Sequence, residues 1–537
     1  MKVAIVGSGP TGTAAAYVLA SENIKVDIFD GGRKHEAQPE DLDALANTAR
    51  SSDPLPEFPP VYDNPKVSDI LQRRLNSRRL RKTVLGSGFV FDGIEDAVPM
   101  TGHWLPRSLA VGGLSHVWGT ACYPLASSDY ADWPLEENEL AEWYAKAADF
   151  FHLSADDDGL RDAYPVFGSP HPVRGSDWQK KQSSSGLEQL LDNWEQNRNL
   201  LSTKGVAAGR SRLAVHRSDG TENGCVHCGN CLNGCPVGAM WTSLPVLSGL
   251  TKGGAVRHHG GVVKRLEANT DGEYLVSETT GGVKRSGPFD TIILAAGPIA
   301  SRQIAQASIP TNDTMQQTVR ILDNDIYVLP FLQSKSSCTE APRFTLSEAV
   351  MAIADEAENR IFHLQLYRPS GTLLGPLEPI IRKFGLGRLL DAKASQLVLG
   401  FLYLHSSQSR HLTARFAVSD GNKPTPVNIT SKEAPAPNAP ARRAFRRLHE
   451  LRNVTGLRPF SSLALRGDPG LSGHIGGTLP MRDTPGPFET DRNGRLSGDR
   501  PIYVVDLSCF PEMPAQNPTF IAVANSMRIA SNILKGA

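Results

Sequence analysis

Short apolar runs alternate with glycine turns at both ends of the chain. Residues 2–6 predict a buried strand that leads into a glycine turn and a helix, and residues 25–29 predict a second strand. Residues 291–294 and 504–505 predict two more buried strands, and helical spacing after residue 518 predicts a last helix. Strands and helices that alternate in this way indicate an α/β fold.

The first of these turns carries a dinucleotide fingerprint, G-x-G-x-x-G. It runs Gly7-Ser8-Gly9-Pro10-Thr11-Gly12 between strand and helix, and Asp30 ends the second strand. Gly7 makes the turn, Gly9 lets backbone approach a pyrophosphate, and Gly12 lets helix and strand pack closely. Asp30 is placed to accept from a ribose 2′-hydroxyl, which disfavours NADP. The pattern predicts one bound dinucleotide, either FAD or NAD, with its phosphates at the helix N-terminus.

Four clustered cysteines form a second motif, C-x2-C-x2-C-x3-C-P. They are Cys225, Cys228, Cys231 and Cys235, whereas Cys122, Cys338 and Cys509 are isolated. Bacterial ferredoxins hold iron–sulfur clusters with this spacing, so the run predicts a cluster. In two-cluster ferredoxins the fourth cysteine of such a run binds the other cluster, but this chain has a single run. The fourth ligand is then Cys235 or a distant cysteine, or the cluster has only three protein ligands. A zinc site and disulfides are the alternatives, although structural zinc usually takes cysteine pairs set further apart.

Composition narrows the class of protein. The 537 residues allow two or three domains, and 56 basic residues balance 56 acidic ones. This balance points to neither nucleic acid nor an acidic partner. No apolar stretch approaches the length of a membrane span. A strand that begins at residue 2 leaves no room for a signal peptide, so we expect a cytoplasmic, reducing location.

The two ends resemble the glucose–methanol–choline (GMC) family of FAD oxidoreductases. The resemblance is carried by the amino-terminal fingerprint, the loop GGLSHVWG at residues 112–119, the V-V-D strand ending at Asp506, the H-x-x-G-T context of His474, and the Asn517-Pro518 step. It also covers the cysteine region and residues 291–301. It is weak over residues 31–104 and 319–461, where the family builds its substrate domain.

The resemblance implies a Rossmann-like FAD-binding domain with a discontinuous substrate domain built on an antiparallel sheet, α+β overall. The expected FAD-binding segments are 1–35, 105–130, 220–310 and 470–537, with the cysteine loop at 224–240. Residues 36–104 and 131–219 are expected to be extensions or a lid, and residues 311–469 the substrate domain.

The resemblance also implies site residues. His474 and Asn517, which are 43 residues apart, match the family's catalytic pair. The alternatives are that Asn517 merely caps the last helix and that His474 is an ordinary polar loop residue. The implied cofactor contacts are Gly7, Gly9, Pro10, Thr11, Gly12, Asp30, Gly113, Ser115, His116, Val263, Ala296, Gly297, Asp506 and Pro518. Some relatives tether FAD through a histidine next to the tryptophan of this loop. Here Val117 separates His116 from Trp118, so we expect non-covalent FAD.

Three functional hypotheses follow. The first is oxidation of an alcohol or sugar CH–OH group, with hydride to flavin N5, His474 as base, and electrons leaving through a 3Fe–4S or 4Fe–4S cluster to an acceptor protein or quinone. Certain sugar dehydrogenases of this family hold a three-iron cluster at C-x5-C-x3-C, which Cys225, Cys231 and Cys235 match. The second is an oxidase that uses O2 and has a structural or zinc-binding cysteine motif. The third is a non-catalytic, dinucleotide-binding assembly protein.

Overall fold

The computed structural model describes residues 1–51, 84–173, 187–216, 224–309, 318–334, 344–369, 396–416, 426–432 and 438–536. One of the isolated cysteines, Cys338, lies outside the described residues. The description below concerns these ranges.

The strands of the described residues form four sheets. They are β1 Val3–Val6, β2 Val26–Asp30, β3 Met100–Gly102, β4 Val206–Arg210, β5 Val256–Gly260, β6 Val262–Asn269, β7 Gly272–Thr279, β8 Gly282–Phe289, β9 Thr291–Leu294, β10 Thr318–Ile321, β11 Ile326–Gln333, β12 Ala349–Asp355, β13 Arg360–Tyr367, β14 Leu397–Tyr403, β15 His411–Arg415, β16 Val427–Lys432, β17 Leu457–Pro459, β18 Leu465–Arg466 and β19 Ile502–Val504.

The α-helices of the same ranges lie at both ends of the chain and between the sheets. They are α1 Pro10–Ser21, α2 Pro39–Ser51, α3 Ile94–Ala97, α4 Glu137–Phe150, α5 Glu188–Gln196, α6 Arg198–Thr203, α7 Ser243–Lys252, α8 Pro298–Ser308, α9 Ala439–Thr455 and α10 Thr519–Lys535. None of them combines the length and apolar character needed to span a membrane.

A five-stranded parallel sheet contains both ends of the chain, in the order β19-β9-β1-β2-β5. All four residues of β1 are buried, as expected for a strand with covered faces. Helices α1 and α10 pack against each other beside it, and Ser526 Oγ on α10 donates to the Thr11 carbonyl at 2.7 Å. The strands predicted from the sequence are confirmed to within a residue or two at their ends.

A larger antiparallel sheet comes from the middle of the chain, in the order β17-β11-β14-β13-β12-β4, with β18 also paired to β11. Helices α5 and α9 cover one face, since their apolar residues share a core with Leu329, Phe331 and Leu364. Side chains alternate along a strand, so Ile326, Val328 and their neighbours face the other way, toward the parallel sheet. The predicted fold class is thus confirmed: an α/β unit joined to an antiparallel sheet.

Two smaller sheets complete the described architecture. Strands β6, β7 and β8 form an antiparallel meander, and β10-β15-β16-β3 form a mixed sheet. The domain boundaries stay predictions. Strand β4 lies in a segment predicted as an extension, yet it pairs with β12 and so belongs to the large antiparallel sheet.

Candidate active site

A cavity of about 1310 Å³ lies between the carboxyl ends of the parallel strands and the inner face of the antiparallel sheet. Open α/β sheets bind ligands at this edge. Pockets for one drug-sized ligand span roughly 300–1,000 Å³. The cavity therefore has room for a dinucleotide and a second small molecule.

The glycine turn after β1 has the geometry that its sequence predicts. Gly7 has φ +108°, and an added Cβ would lie 2.2 Å from the Ala295 carbonyl oxygen. A Cβ at Gly12 would lie 2.0 Å from the Gly7 oxygen, whereas a Cβ at Gly9 meets nothing within 4 Å. Gly9 therefore leaves the backbone open to the cavity. No side chain caps the N-terminus of α1, so its N–H groups are available to a phosphate.

Asp30 lines the cavity at the end of β2 and has three neighbours. Its carboxylate accepts hydrogen bonds from Ser8 Oγ and, at 2.8 Å, from Gly32 N. The Nε2 atom of His258, on the adjacent edge strand β5, lies 3.0 Å from Asp30 Oδ1. The carboxylate is thus held in place at the position where the fingerprint predicts a ribose.

Most of the predicted cofactor contacts meet at this cavity. Its lining includes Gly7, Gly9, Pro10, Thr11, Asp30, Gly113, Ser115, Val263, Ala296, Gly297 and Asp506. Gly12 and Pro518 lie outside the lining, and Gly12 instead packs helix against turn. His116 also lies outside it, because its Nε2 lies 2.7 Å from the Val111 carbonyl oxygen and its ring packs edge-on against Phe89.

Asp506 reaches the cavity but its oxygens are already engaged by protein. Oδ2 accepts from Gly297 N at 2.8 Å and Ser301 Oγ at 2.6 Å, and Oδ1 accepts from Ser508 N at 2.8 Å. Burial raises the pKa of this carboxyl. The sequence predicts that it reaches a cofactor hydroxyl; its contacts within the chain instead fix the Gly297 turn at the start of α8.

His474 lies at the junction of the two sheets, in the cavity lining. Its Nδ1 is 2.9 Å from Asn324 Oδ1, and its Nε2 is 3.2 Å from Asn517 Nδ2. The imidazole stacks on Tyr403 with ring centroids 5.2 Å apart. Burial lowers the pKa of His474 to about 3. The ring is therefore neutral at ordinary pH, as a general base must be.

Asn517 is turned toward this imidazole rather than toward its own helix. Helix α10 begins at Thr519 with Pro518 in the capping position, and no side chain caps it. The Asn517 amide instead donates to His474 and accepts from Gln365 Nε2. The interpretation of Asn517 as a simple helix cap is therefore wrong, because its polar atoms are used across the cavity.

Two polar residues at this site were missed from the sequence. Asn324 lies in the buried triplet Asp323–Asp325, and Gln365 lies on the central strand β13 with 1% of its surface exposed. Asp323 accepts from Gly470 N at 2.8 Å and from Ser472 Oγ at 2.6 Å, which fixes the loop before His474. Three polar residues between two apolar strands were a usable signal, but nothing in the sequence joins them to His474.

The inner face of the antiparallel sheet supplies the opposite wall. Its side chains in the cavity lining are Ile326 and Val328 of β11, Gln365 and Tyr367 of β13, and Phe401 and Tyr403 of β14. Tyr367 and Phe401 pack edge to face at 4.9 Å. In the described part of this wall the surface is aromatic, aliphatic and amide in character.

The cysteine run packs against the core that includes Tyr123 and Val237, and Leu232 within the run reaches the cavity lining. Burial is the main cause that raises the pKa of the Cys225, Cys231 and Cys235 thiols, and the neighbouring cysteines raise it further. The side chains of the run therefore lie near one another, and burial favours the protonated form of Cys225, Cys231 and Cys235.

As placed, these thiols do not fit a metal centre. Within the described ranges, no three His, Cys, Asp or Glu side chains are grouped to hold a metal ion. The Cys235 sulfur instead accepts a hydrogen bond from Ala239 N at 3.2 Å. Metal ligation requires thiolates, whereas burial favours the thiols here. The predicted iron–sulfur cluster thus receives no support from the described structure.

The comparisons with known proteins agree with this geometry at its carboxyl end. A sequence model of the GMC oxidoreductase family matches residues 464–526, the segment that carries both His474 and Asn517. This carboxyl-terminal segment is therefore similar to the GMC oxidoreductase family. Members of that family are FAD-binding oxidoreductases that act on CH–OH groups.

One solved structure gives the extent of the similarity in fold. The crystal structure of pyridoxine 4-oxidase from Mesorbium loti superposes with a TM-score of 0.59 over 99% of each chain, at 15% sequence identity. At this identity the likeness shows the fold alone. No curated protein sequence matches this chain.

The residues of the cavity fit FAD. The glycine turn and the uncapped start of α1 are suited to its pyrophosphate, and Asp30 to its adenosine ribose. Gly113, with φ +57°, and Gly297, with φ +84° and no atom within 4 Å of an added Cβ, let backbone approach a flat ring. His474 and Asn517 line the same cavity on the side of the antiparallel sheet.

Proposed function

We propose that this chain is a GMC-type, FAD-dependent oxidoreductase that oxidises a small-molecule alcohol, with His474 as the base that takes the hydroxyl proton. When bound, FAD supplies the acceptor for the hydride that leaves the CH–OH carbon. The single observation that carries the proposal is the His474–Asn517 pair, joined at 3.2 Å in the wall of the FAD cavity. A carbinol that enters this wall meets one acceptor and one donor.

The two side chains divide the work on the hydroxyl. His474 Nε2 accepts the proton, and Asn517 Nδ2 donates to the same oxygen and so keeps the carbinol in place. Because burial lowers the pKa of His474 to about 3, the imidazole is available as a base throughout the neutral range. General-base assistance of this kind contributes roughly 10²–10⁴-fold to the rate.

Helix α10 adds an electrostatic contribution. Thr519 and Ala522 of its first turns line the cavity next to Asn517. The N-terminus of a helix carries partial positive charge, which stabilises a negative charge close to it. The start of α10 therefore favours a ring that gains electrons at this position.

The test is anaerobic reduction of the bound flavin by a panel of alcohols and sugars, followed by absorbance. We expect His474→Ala to slow the reduction by roughly 10²–10⁴-fold without loss of bound flavin. His449→Ala is the matched control, because the side chain of this exposed histidine bonds only Ser461 in the described structure, at 2.9 Å. A panel that leaves the wild-type flavin oxidised contradicts the proposal and favours the assembly protein, whereas a His474→Ala variant of normal rate contradicts the role of His474 as the base.

The route by which electrons leave is a separate question. The cysteine spacing predicts an iron–sulfur cluster and an external acceptor, a protein or a quinone, and the alternative is direct reoxidation by O2. Because the thiols are not grouped as ligands in the described part of the chain, no step above depends on them. Iron and zinc analysis of protein purified without air, together with peroxide measured during turnover, separates the two routes.

A further inference from the structure

We infer that two buried amides, Asn324 and Gln365, act as positioning residues that hold His474 in the Nδ1–H tautomer, with the lone pair of Nε2 facing Asn517 and the cavity. This inference rests on the proposed function, since it states which nitrogen acts as the base. A neutral imidazole has one donor and one acceptor nitrogen, and its neighbours decide which is which.

The Asn324 amide can take only one orientation. Its Nδ2 donates to the Leu404 carbonyl at 2.7 Å and to the Pro514 carbonyl at 3.1 Å. Carbonyl oxygens accept and never donate, so the nitrogen must point at them. Oδ1 therefore faces His474 Nδ1 at 2.9 Å and requires a proton on it.

The Gln365 amide fixes the other side of the ring through Asn517. In the structure Gln365 Oε1 accepts from the Tyr367 hydroxyl at 2.8 Å, and Nε2 lies 3.2 Å from His363 Nε2 and donates to Asn517 Oδ1. Asn517 must then present its Nδ2 donor to His474 Nε2 at 3.2 Å. A donor at this position requires a lone pair on Nε2.

The two amides are independent and give the same answer. Asn324 lies between β10 and β11 whereas Gln365 lies within β13, and each is 1–2% exposed, so water does not replace their bonds. The opposite tautomer would set N–H against N–H at Asn517 and lone pair against oxygen at Asn324. Both buried hydrogen bonds would be lost together.

Two substitutions at Asn324 separate positioning from structural support. Asn324→Asp and Asn324→Leu both lose the donations to Leu404 and Pro514, but only Asp keeps an oxygen at Nδ1. Asn525→Leu is the control for loss of a buried amide, since Asn525 lies within α10 and bonds Cys509 and Arg528.

The first readout is ¹⁵N NMR of histidine-labelled, flavin-loaded protein, with the His474 signals assigned by their loss in His474→Ala. We expect the wild-type protein and Asn324→Asp to show the proton on Nδ1, and Asn324→Leu to show both tautomers or the inverted one. A proton on Nε2 in the wild type, or no change in Asn324→Leu, overturns the inference.

The second readout is the pH dependence of the limiting rate of flavin reduction. The titratable groups around the imidazole are His363 on β13, Tyr403 on β14, and Asp323 beside Asn324. A carboxylate at position 324 stabilises the imidazolium, so in Asn324→Asp the acid limb should move to higher pH. Asn324→Leu should lose on the order of 10²-fold at every pH, and Asn525→Leu should keep the wild-type profile.

These readouts distinguish two kinds of failure. If no substrate reduces the wild-type flavin, the proposed function fails, but the NMR tautomer still tests the amides. If the flavin is reduced and the Asp and Leu variants are slowed equally with unchanged tautomer, the function stands and the positioning role is wrong.

Discussion

The two walls of the active-site cavity are built by different means. On the parallel-sheet side, turns local in sequence bring backbone to the cavity: Gly7, Gly9 and Gly12 lie within six residues and act by the absence of a side chain. On the antiparallel side, side chains distant in sequence bond one another: His474 meets Asn324 across 150 residues, and Asn517 meets Gln365 across 152.

This difference separates cofactor binding from catalysis. An atom added to the backbone wall should act on the fold where it meets the chain, as at Gly12, and on FAD binding where it enters the open cavity, as at Gly9. Side chains of the antiparallel wall can be replaced by others of similar size without loss of the fold. Such a replacement should disturb the orientation of the His474–Asn517 pair and so lower the rate of flavin reduction. Three experiments test this comparison, from the largest expected effect to the smallest.

The largest effect is expected at Gly12. A methyl group there would lie 2.0 Å from the Gly7 carbonyl oxygen, backbone that cannot move aside without opening the turn. Gly12→Ala should destabilise the protein by roughly 1–3 kcal/mol or more and lose its flavin. Gly9→Ala is the matched control, because its methyl meets no atom of the chain within 4 Å.

Flavin absorbance per protein and the thermal midpoint report the result. Gly9→Ala should keep the thermal midpoint of the apoprotein and bind FAD more weakly. Equal stability of the two variants would show that the close contact at Gly12 does not constrain the turn. The statement that the backbone wall depends on the absence of side chains would then be wrong.

An intermediate effect is expected at Gln365. Gln365→Leu removes the donor that orients Asn517 and leaves the Tyr367 hydroxyl without its acceptor. We expect flavin reduction to slow by roughly 10- to 100-fold, within the range of general-base effects, with little change in bound flavin. Stopped-flow reduction and flavin content measure the two quantities. Loss of FAD in step with rate would show that this wall also serves the cofactor.

The smallest effect concerns pH and stability. Burial lowers the pKa of His363, His405 and His474 to about 3. In the unfolded chain each protonates near its ordinary value of about 6.5, so stability is full above that pH and falls as pH drops toward 3.

Buried carboxyls with a raised pKa oppose this trend, and Asp129 and Asp323 are two of them. Burial raises the pKa of Asp129 and Asp323 to about 6. Both take up protons in the folded state as pH falls from 6 toward their ordinary value near 3.8, and so add stability there.

His405 isolates one such contribution, because it lies outside the catalytic pair. Its Nδ1 accepts from Ser407 N at 3.2 Å, which an asparagine oxygen can also do. Between pH 6.5 and 5, the free energy of unfolding of His405→Asn should therefore fall by about 2 kcal/mol less than that of the wild type. Urea unfolding at pH 5, 6 and 7 gives the slope, in which the carboxyl contributions cancel between the variant and the wild type. An unchanged slope would contradict the assigned pKa.

Much of the cofactor wall was predictable from the sequence. Residues 2–6 and 25–29 predict two strands, and β1 and β2 lie there, because buried parallel strands read as continuous apolar runs. The resemblance placed His474 and Asn517 together, and the structure brings them to 3.2 Å. Pro518 and His116 were also predicted to contact the cofactor, but neither lines the cavity. A motif fixes the position of a residue in the chain but not the direction of its side chain.

The cysteine run shows the limit of an inference from spacing. Intervals of two and three residues allow thiols to surround a cluster, but they do not exclude burial in an apolar core. Cys225 lies in such a core, and the described thiols are not grouped for a metal. Spacing sets which side chains can meet, and packing decides which do.

The sequence by itself determined the glycine turn, the strands around it and the choice of His474 and Asn517 as the proposed catalytic pair, because each depends on neighbours within a few residues or on a motif read as a whole. Only the tertiary structure decided that Asn324 and Gln365 orient that pair, and that Asp506 is engaged by the start of α8. Hydrogen bonds between residues more than a hundred positions apart leave no periodic trace in a chain, and exist only once the sheets have packed.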